Sequence, residues 1–309
     1  MDLDERLSLI ARAREALAPF GASHEASWIA DHLRERGHAS ADERLASLEE
    51  ILARRAKGEP LAYVLGQWAF RNLEFEVGPG VLIPRPETEE LVEAAVMMVE
   101  NSQAYLRKLL EGGLKVGDLG AGSGCIGIGF FRALFQDLDD YKGGADAVAA
   151  KSSLRLVEKS PVAIDWCRRN LARHAPSLRA LDVKILEKSW NDLDESGFDI
   201  LLSNPPYLTP NEYDSIDASV REFEPKSALV AEGTTEAHDG TRAYREIFEV
   251  AARSLKPEGW LWFELGLVQG EWIADYAHSL GHWNEIQILR DIQKKPRFFV
   301  ARRDSAKPS

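Results

Sequence analysis

The sequence predicts an α/β fold: a Rossmann-like, mostly parallel sheet with a terminal antiparallel pair, preceded by a small helical unit and a linking β-hairpin. From residue 114 onward, short apolar runs alternate with helical stretches, the pattern of a parallel, doubly wound sheet. The last two runs, "EIQILRD" and "RFFVARR", are too close together for a crossover helix, so they must pair antiparallel. Residues 1 to 57 carry helical spacing only.

Taken in order, Leu3, Leu7 and Ile10 repeat at helical spacing, and Leu45, Leu48, Ile51 and Leu52 do so again. Ser40 and Glu43 have the spacing of a capping box before the second run, and Gly58 and Pro60 stop it. "WAFRNLEFEVGPGVLIPRPETEE" then alternates and turns at Gly78-Pro79-Gly80, which predicts a hairpin feeding a proline-rich corner. "ETEELVEAAVMMVE" is a helix with one apolar face. The strands are "LKVGDLG", "LRLVEKS", "VKILEKS", "FDILLSN" and "GWLWFELG", followed by the terminal pair. Residues 136 to 153, polar and Gly/Ala-rich, read as a flexible excursion between a helix and a strand. The predicted division is a helical unit at 1–60, a hairpin linker at 61–86 and the α/β domain at 87–309.

Composition narrows the function. A net charge of −12 over 309 residues argues against a broad nucleic-acid footprint, which needs basic surface. The acidic start "MDLDERLSLI" resembles neither a signal nor a transit peptide, and no apolar run reaches the roughly 18 residues of a membrane span. Cys125 and Cys167 give neither metal spacing nor a disulfide framework. A cytoplasmic enzyme or binding protein without a metal is expected.

Chemistry gathers at strand ends. "VGDLGAGSGCIGIGF" places Gly120, Gly122 and Gly124 between a strand and a helix, where the backbone can turn sharply and a ligand can approach its N–H groups. A plain tight turn has the same look. The spacing is neither G-x-G-x-x-G nor a phosphate loop, and Asp118 just before it suits a cationic ligand. Glu158 ends the next strand, where a carboxylate can accept from both hydroxyls of a ribose or simply face solvent. Trp190 follows the third strand and can stack on a purine or pack. Trp260 and Trp262 read as core. In "FDILLSNPPYLTP" an apolar run ends in Asn204, Pro205, Pro206 and Tyr207. The prolines stop the strand and stiffen the turn. The Asn204 side-chain carbonyl and the Pro205 backbone carbonyl could together hold a planar –NH2 group. Fixed acceptors would aim its nitrogen and favour loss of conjugation in a transition state, with no strong base required.

Together these features resemble the class I methyltransferases that use S-adenosylmethionine. The wider chain resembles the protein-(glutamine-N5) methyltransferase family acting on peptide chain release factors. The likeness covers "KGEPLAYVLGQWAF", "LEFEVGPGVLIPRPETEELVE", "DLGAGSG", "SNPPYL", "FEPKSALVAEG" and "YREIFEVAARSLKPEGWLWFELG". It implies transfer of a methyl group to the glutamine of a Gly-Gly-Gln loop, leaving S-adenosylhomocysteine. Asn204, Pro205 and Tyr207 would hold the amide. Asp118, Gly120, Gly122, Gly124, Glu158 and Trp190, with Asn204, would serve the cofactor. Arg85, Pro86 and Glu87 would shape the substrate cleft, unless Arg85 and Glu89 only pin the hairpin to the helix, and the helical unit would help dock the release factor.

The chain departs from the family pattern at Ser189, where an acid is common, in the 136–153 excursion, and at "RDIQKKPRFFV" in place of a Gly/Asp-rich turn. Asn-Pro-Pro-Tyr also suits an adenine-N6 methyltransferase of DNA or RNA, or a ribosomal-protein glutamine methyltransferase. A non-catalytic docking protein is a third class; it need not bind the cofactor.

Overall fold

Helix α1 (Leu3–Leu17) starts where the Asp2 side chain accepts the Glu5 N–H, and α3 (Ala41–Arg55) where Ser40 accepts from Glu43. With α2 (Ala26–Glu35) and the short α4 (Leu61–Leu65) they enclose a core that includes Ala13, Leu17, Ile29, Leu33 and Leu48. The leucines that predicted α1 do not all enter it: Leu3 and Leu7 stay 68% and 52% exposed, while Leu9 and Ile10 turn inward. The computed structural model describes residues 1–37, 40–139, 144–231 and 240–305.

The hairpin forms, but with its turn earlier than predicted. β1 (Gln67–Phe70) and β2 (Leu73–Glu76) pair Phe70 with Leu73, so the turn is Arg71-Asn72, with Arg71 at φ 54°. Gly78 and Gly80 serve a close approach instead. A Cβ on Gly78 would lie 2.4 Å from the Trp166 ring, and one on Gly80 2.5 Å from Val162. The segment 61–65, assigned to the linker, is α4 and packs into the helical core.

After α5 (Pro86–Asn101) and α6 (Gln103–Gly112), strands and helices alternate: β3 (Lys115–Leu119), α7 (Cys125–Asp139), α8 (Gly144–Ala149), β4 (Ser153–Glu158), α9 (Pro161–Leu178), β5 (Asp182–Glu187) and β6 (Phe198–Ser203). Then come α10 (Pro210–Ser215), α11 (Ala218–Phe223), α12 (Arg242–Ser254), β7 (Leu255–Glu264), α13 (Gly270–Ser279), β8 (Trp283–Arg290) and β9 (Pro296–Arg303). The seven strands lie in the order β5-β4-β3-β6-β7-β9-β8. β3 to β7 are parallel, and β9 runs antiparallel to both neighbours. The expected fold class is therefore the observed one. Two apolar layers flank the sheet, and Trp260 and Trp262 are buried.

The predicted flexible excursion is largely helical. α7 runs to Asp139, and α8 buries Ala145, Val148 and Ala149 against α6 and α7. Small apolar residues recurring at helical spacing outweigh the polar composition there. Residues 140–143 of that stretch lie outside the described residues. Cys125 and Cys167 are buried free thiols. Among the described residues no helix is long and apolar enough to cross a membrane.

Candidate active site

The carboxyl ends of β3, β4, β5 and β6 converge on a cavity of about 410 Å³. It sits where the strand order reverses between β3 and β6, the place at which open α/β sheets take their ligands.

Gly120, Gly122 and Gly124 have φ of 74°, 55° and 83°, left-handed values that side chains with a Cβ rarely adopt. Gly120 and Gly122 line the cavity. A Cβ on Gly120 would meet the Trp190 ring at 3.0 Å, whereas on Gly122 it would meet nothing nearer than Val81 at 3.8 Å, so bare backbone keeps that space open. Gly124 turns inward, where a Cβ would meet Cys167 and Ile128 at 3.1 Å. It admits α7 to the core and is not part of the wall.

Asp118 departs from expectation. Its side chain is fully buried and off the cavity wall, on the face of β3 that α7 covers. One carboxyl oxygen accepts the Gly127 N–H at 2.9 Å, and the other has no partner among the described residues. Burial pushes the carboxyl up to about 7, with Glu158 adding to the rise and the Gly127 bond opposing it. Asp118 braces the first turn of α7 and makes no approach to a ligand in the cavity.

Glu158 does line the cavity and clasps the loops around it. One oxygen accepts the Gly122 N–H at 2.9 Å, the other the Lys159 and Ser160 N–H groups at 2.8 Å each. Trp190 lines the next wall. Its indole N–H donates to Glu246 of α12 at 2.9 Å, and Arg242 holds the other oxygen of Glu246 at 2.7 Å. Ser189 also reaches the cavity, its hydroxyl accepting the Asn191 N–H at 3.3 Å. A carboxylate on this wall thus comes from Glu246 on α12, the fourth named element after β5.

β6 is buried along its whole length, and Ser203 donates to the Leu119 carbonyl at 2.6 Å, tying the strand end to β3. Asn204 and Pro206 then line the cavity, while Pro205 is buried and Tyr207 stands behind the wall. The Asn204 Nδ2 group donates to Thr88 at 3.0 Å, Thr88 donates to Glu264 at 2.6 Å, and the Tyr207 phenol donates to the second Glu264 oxygen at 3.1 Å. Burial and the charge of Glu264 hold the phenol protonated. The Asn204 Oδ1 and the Pro205 carbonyl accept no hydrogen bond among the described residues.

Of Arg85, Pro86 and Glu87, Arg85 lines the cavity, together with Leu82, Pro84 and Thr88 of the same corner; Pro86 is exposed at the start of α5, and Glu87 is half-buried off the wall. Arg85 pairs with Glu224 at 2.7 Å, and Glu224 also accepts the Ile83 N–H at 3.1 Å. Its partner is not Glu89, whose backbone carbonyl instead takes a long bond from Arg71.

A release factor glutamine methyltransferase of Geobacter sulfurreducens is 36% identical over 239 residues, 77% of this chain and 72% of its own. The chain belongs to the release factor glutamine methyltransferase family. A second relative so named, from Nitratidesulfovibrio vulgaris, is 34% identical over 84% of this chain and 78% of its own. No family model matches the chain. Among solved structures, a methyltransferase of Pyrococcus furiosus resembles it over 82% of this chain and 97% of its own, at 16% identity and a TM-score of 0.45.

Thr88, Glu224, Glu246 and Glu264 escaped the sequence reading. Thr88 lies within the quoted corner, one residue past the three singled out. Glu264 ends the strand "GWLWFEL", where an acid closing an apolar run is the same signal that drew attention to Glu158. Glu224 follows the end of α11 and Glu246 lies on α12, both in charged stretches that read as solvated.

Proposed function

We propose that this methyltransferase transfers a methyl group from S-adenosylmethionine to the side-chain amide nitrogen of the glutamine in a release factor's Gly-Gly-Gln loop. The carrying observation is that Asn204 and the glycine loop open on one cavity, with the Asn204 Oδ1 left without a partner among the described residues.

The residues present fit the cofactor. The bare backbone at Gly122 leaves room that a Cβ would take, Glu158 can accept from a hydroxyl pair with its remaining lone pairs, and Trp190 offers an aromatic face near Glu246. Bound there, S-adenosylmethionine supplies an electrophilic methyl group on a sulfonium centre. Gly120, Gly122, Glu158 and Trp190 would hold it.

The chain's own contribution is orientation. Asn204 Oδ1 and the Pro205 carbonyl accept the two hydrogens of the target amide, which fixes the nitrogen and favours the pyramidal geometry in which its lone pair is free. Buried Pro205 keeps the acceptor still. Tyr207, held by Glu264 and by Gln269 on its backbone carbonyl at 3.0 Å, cannot swing aside. Arg85 and Glu224 tie the corner to the segment that closes the cavity's far side. The helical unit serves docking of the protein substrate, and a cytoplasmic location follows from a substrate that works on ribosomes. The C–S bond breaks as the N–C bond forms, giving the N5-methylated glutamine and S-adenosylhomocysteine, and the extra proton on nitrogen is lost to solvent.

The test uses purified protein, methyl-labelled S-adenosylmethionine and separate release-factor, ribosomal and DNA substrates, with the label mapped by mass spectrometry. Label on the Gly-Gly-Gln glutamine is expected. Label confined to ribosomal protein or nucleic acid overturns the substrate reading.

A further inference from the structure

Thr88 and Glu264 carry more than structural support. Glu264 is 1% exposed and holds two donors, the Thr88 hydroxyl at 2.6 Å and the Tyr207 phenol at 3.1 Å. Burial raises the Glu264 carboxyl from its ordinary value, and the Thr88 and Tyr207 hydrogen bonds and the Arg297 charge oppose that rise. With a hydroxyl directed at each of its oxygens, the group is held as a carboxylate, which only accepts, and a threonine hydroxyl has a single proton. Thr88 donates that proton to Glu264, so toward Asn204 it presents lone pairs alone. The amide 3.0 Å away must then turn its Nδ2–H to Thr88. With the amide reversed, Oδ1 would face another acceptor at hydrogen-bond distance, leaving two buried lone pairs opposed.

We infer that Thr88 and Glu264 are positioning residues that set the polarity of the Asn204 amide, turning its oxygen to the substrate. The inference rests on the glutamine reading of the site. Its consequence is selective: a substrate group must arrive nitrogen first, because the site offers acceptors, Asn204 Oδ1 and the Pro205 carbonyl, where a reversed amide would offer a donor. An amide presented oxygen first would meet these acceptors with no proton to share. The chain of donors also explains why the acceptor for the reacting group is an asparagine at all. An aspartate would have two oxygens and no N–H for Thr88, whose only proton is already committed to Glu264.

Thr88→Val removes the hydroxyl and keeps the shape, while Thr88→Ser keeps the hydroxyl. Three quantities are read for both: turnover on a release factor, calorimetric affinity for S-adenosylmethionine, and exchange of the Asn204 side-chain NH2 protons in asparagine-15N-labelled protein. Thr88→Val is expected to lower kcat about 10-fold to 100-fold, with cofactor affinity held to within about twofold. Thr88→Ser should restore most of the turnover. The Asn204 NH2 protons should exchange slowly in the wild type and the Ser variant and rapidly in the Val variant. A Val variant with wild-type turnover overturns the inference. So does a Ser variant as slow as the Val variant, since packing would then be the cause. If the Val variant does not fold, rapid exchange at Asn204 in the folded wild type decides against the inference and slow exchange supports it. Failure of the wild type to methylate any release factor defeats the substrate reading, while proton exchange at Asn204 still tests the polarity.

Discussion

In the proposed mechanism the Asn204 Oδ1 meets the target amide, while its Nδ2 group donates to Thr88, so truncation removes an acceptor and spares the glycine loop. Asn204→Ala should lower kcat by about 10²- to 10³-fold, the scale for loss of one preorganised hydrogen-bonding group at a reacting centre. Calorimetry should find cofactor affinity little changed; wild-type turnover in that variant would defeat the mechanism. Glu158 is different, because three backbone N–H groups and the cavity share its carboxylate. Glu158→Ala should weaken S-adenosylmethionine binding by about 1.5–3 kcal/mol; unchanged affinity in a titration would remove its ribose role. Asp118 gives a pH prediction. Its carboxyl is raised from 3.8 to about 7, so between those values the native state keeps a proton that the unfolded chain releases. Its contribution to stability is therefore full below the lower value and lost as pH rises through the upper one. Asp118→Asn retains an oxygen for the Gly127 N–H and cannot ionise. Urea midpoints followed from about pH 4 to pH 8 should fall less steeply in the variant, and equal slopes would show that Asp118 titrates normally.

Among the elements, the loop after β6 depends on contacts made by segments far along the chain. Leu208 pairs with Leu229 and Ala231 through backbone bonds of 2.9 and 3.3 Å. Gly240, at φ 70°, comes so close that a Cβ there would lie 2.3 Å from the Tyr207 carbonyl oxygen and 2.7 Å from Gln269. Gly240→Ala must displace Tyr207 or strain itself, at a cost of about 1–3 kcal/mol. Turnover should drop sharply with cofactor affinity kept, and kinetics beside a titration would separate the two. Normal turnover would mean that the loop tolerates displacement.

On the scale of the whole molecule, the helical unit has its own core yet leaves Leu3, Leu7 and Trp28 at 68%, 52% and 51% exposure. The docking proposed for this unit would bury exposed apolar side chains of this kind. Leu7→Asp should raise KM for the release factor and leave cofactor affinity alone, with stability changed by no more than about 0.5 kcal/mol. A KM equal to that of the wild type would place docking elsewhere.

The alternation of strands with helices, the terminal antiparallel pair, helix starts and the loops that carry Gly120, Glu158, Trp190 and Asn204 were legible in the sequence because each rests on residues close together in the chain: alternation, caps, glycines at positive φ and prolines that stop a strand. The same locality explains the errors. Arg71 took the hairpin turn that Gly78 and Gly80 advertised, because those glycines were answering Trp166 and Val162 on α9. Asp118 was assigned to a ligand because its neighbours were, while the side to which β3 turned it is covered by α7. Thr88, Glu224 and Glu264 stayed invisible because their bonds join residues 116, 139 and 176 positions apart. By itself the sequence determined the mostly parallel sheet, the glycine loop and the asparagine at the end of β6 that the proposed mechanism uses. Only the tertiary structure decided which way that asparagine faces, since a side-chain amide takes its direction from partners that folding brings to it.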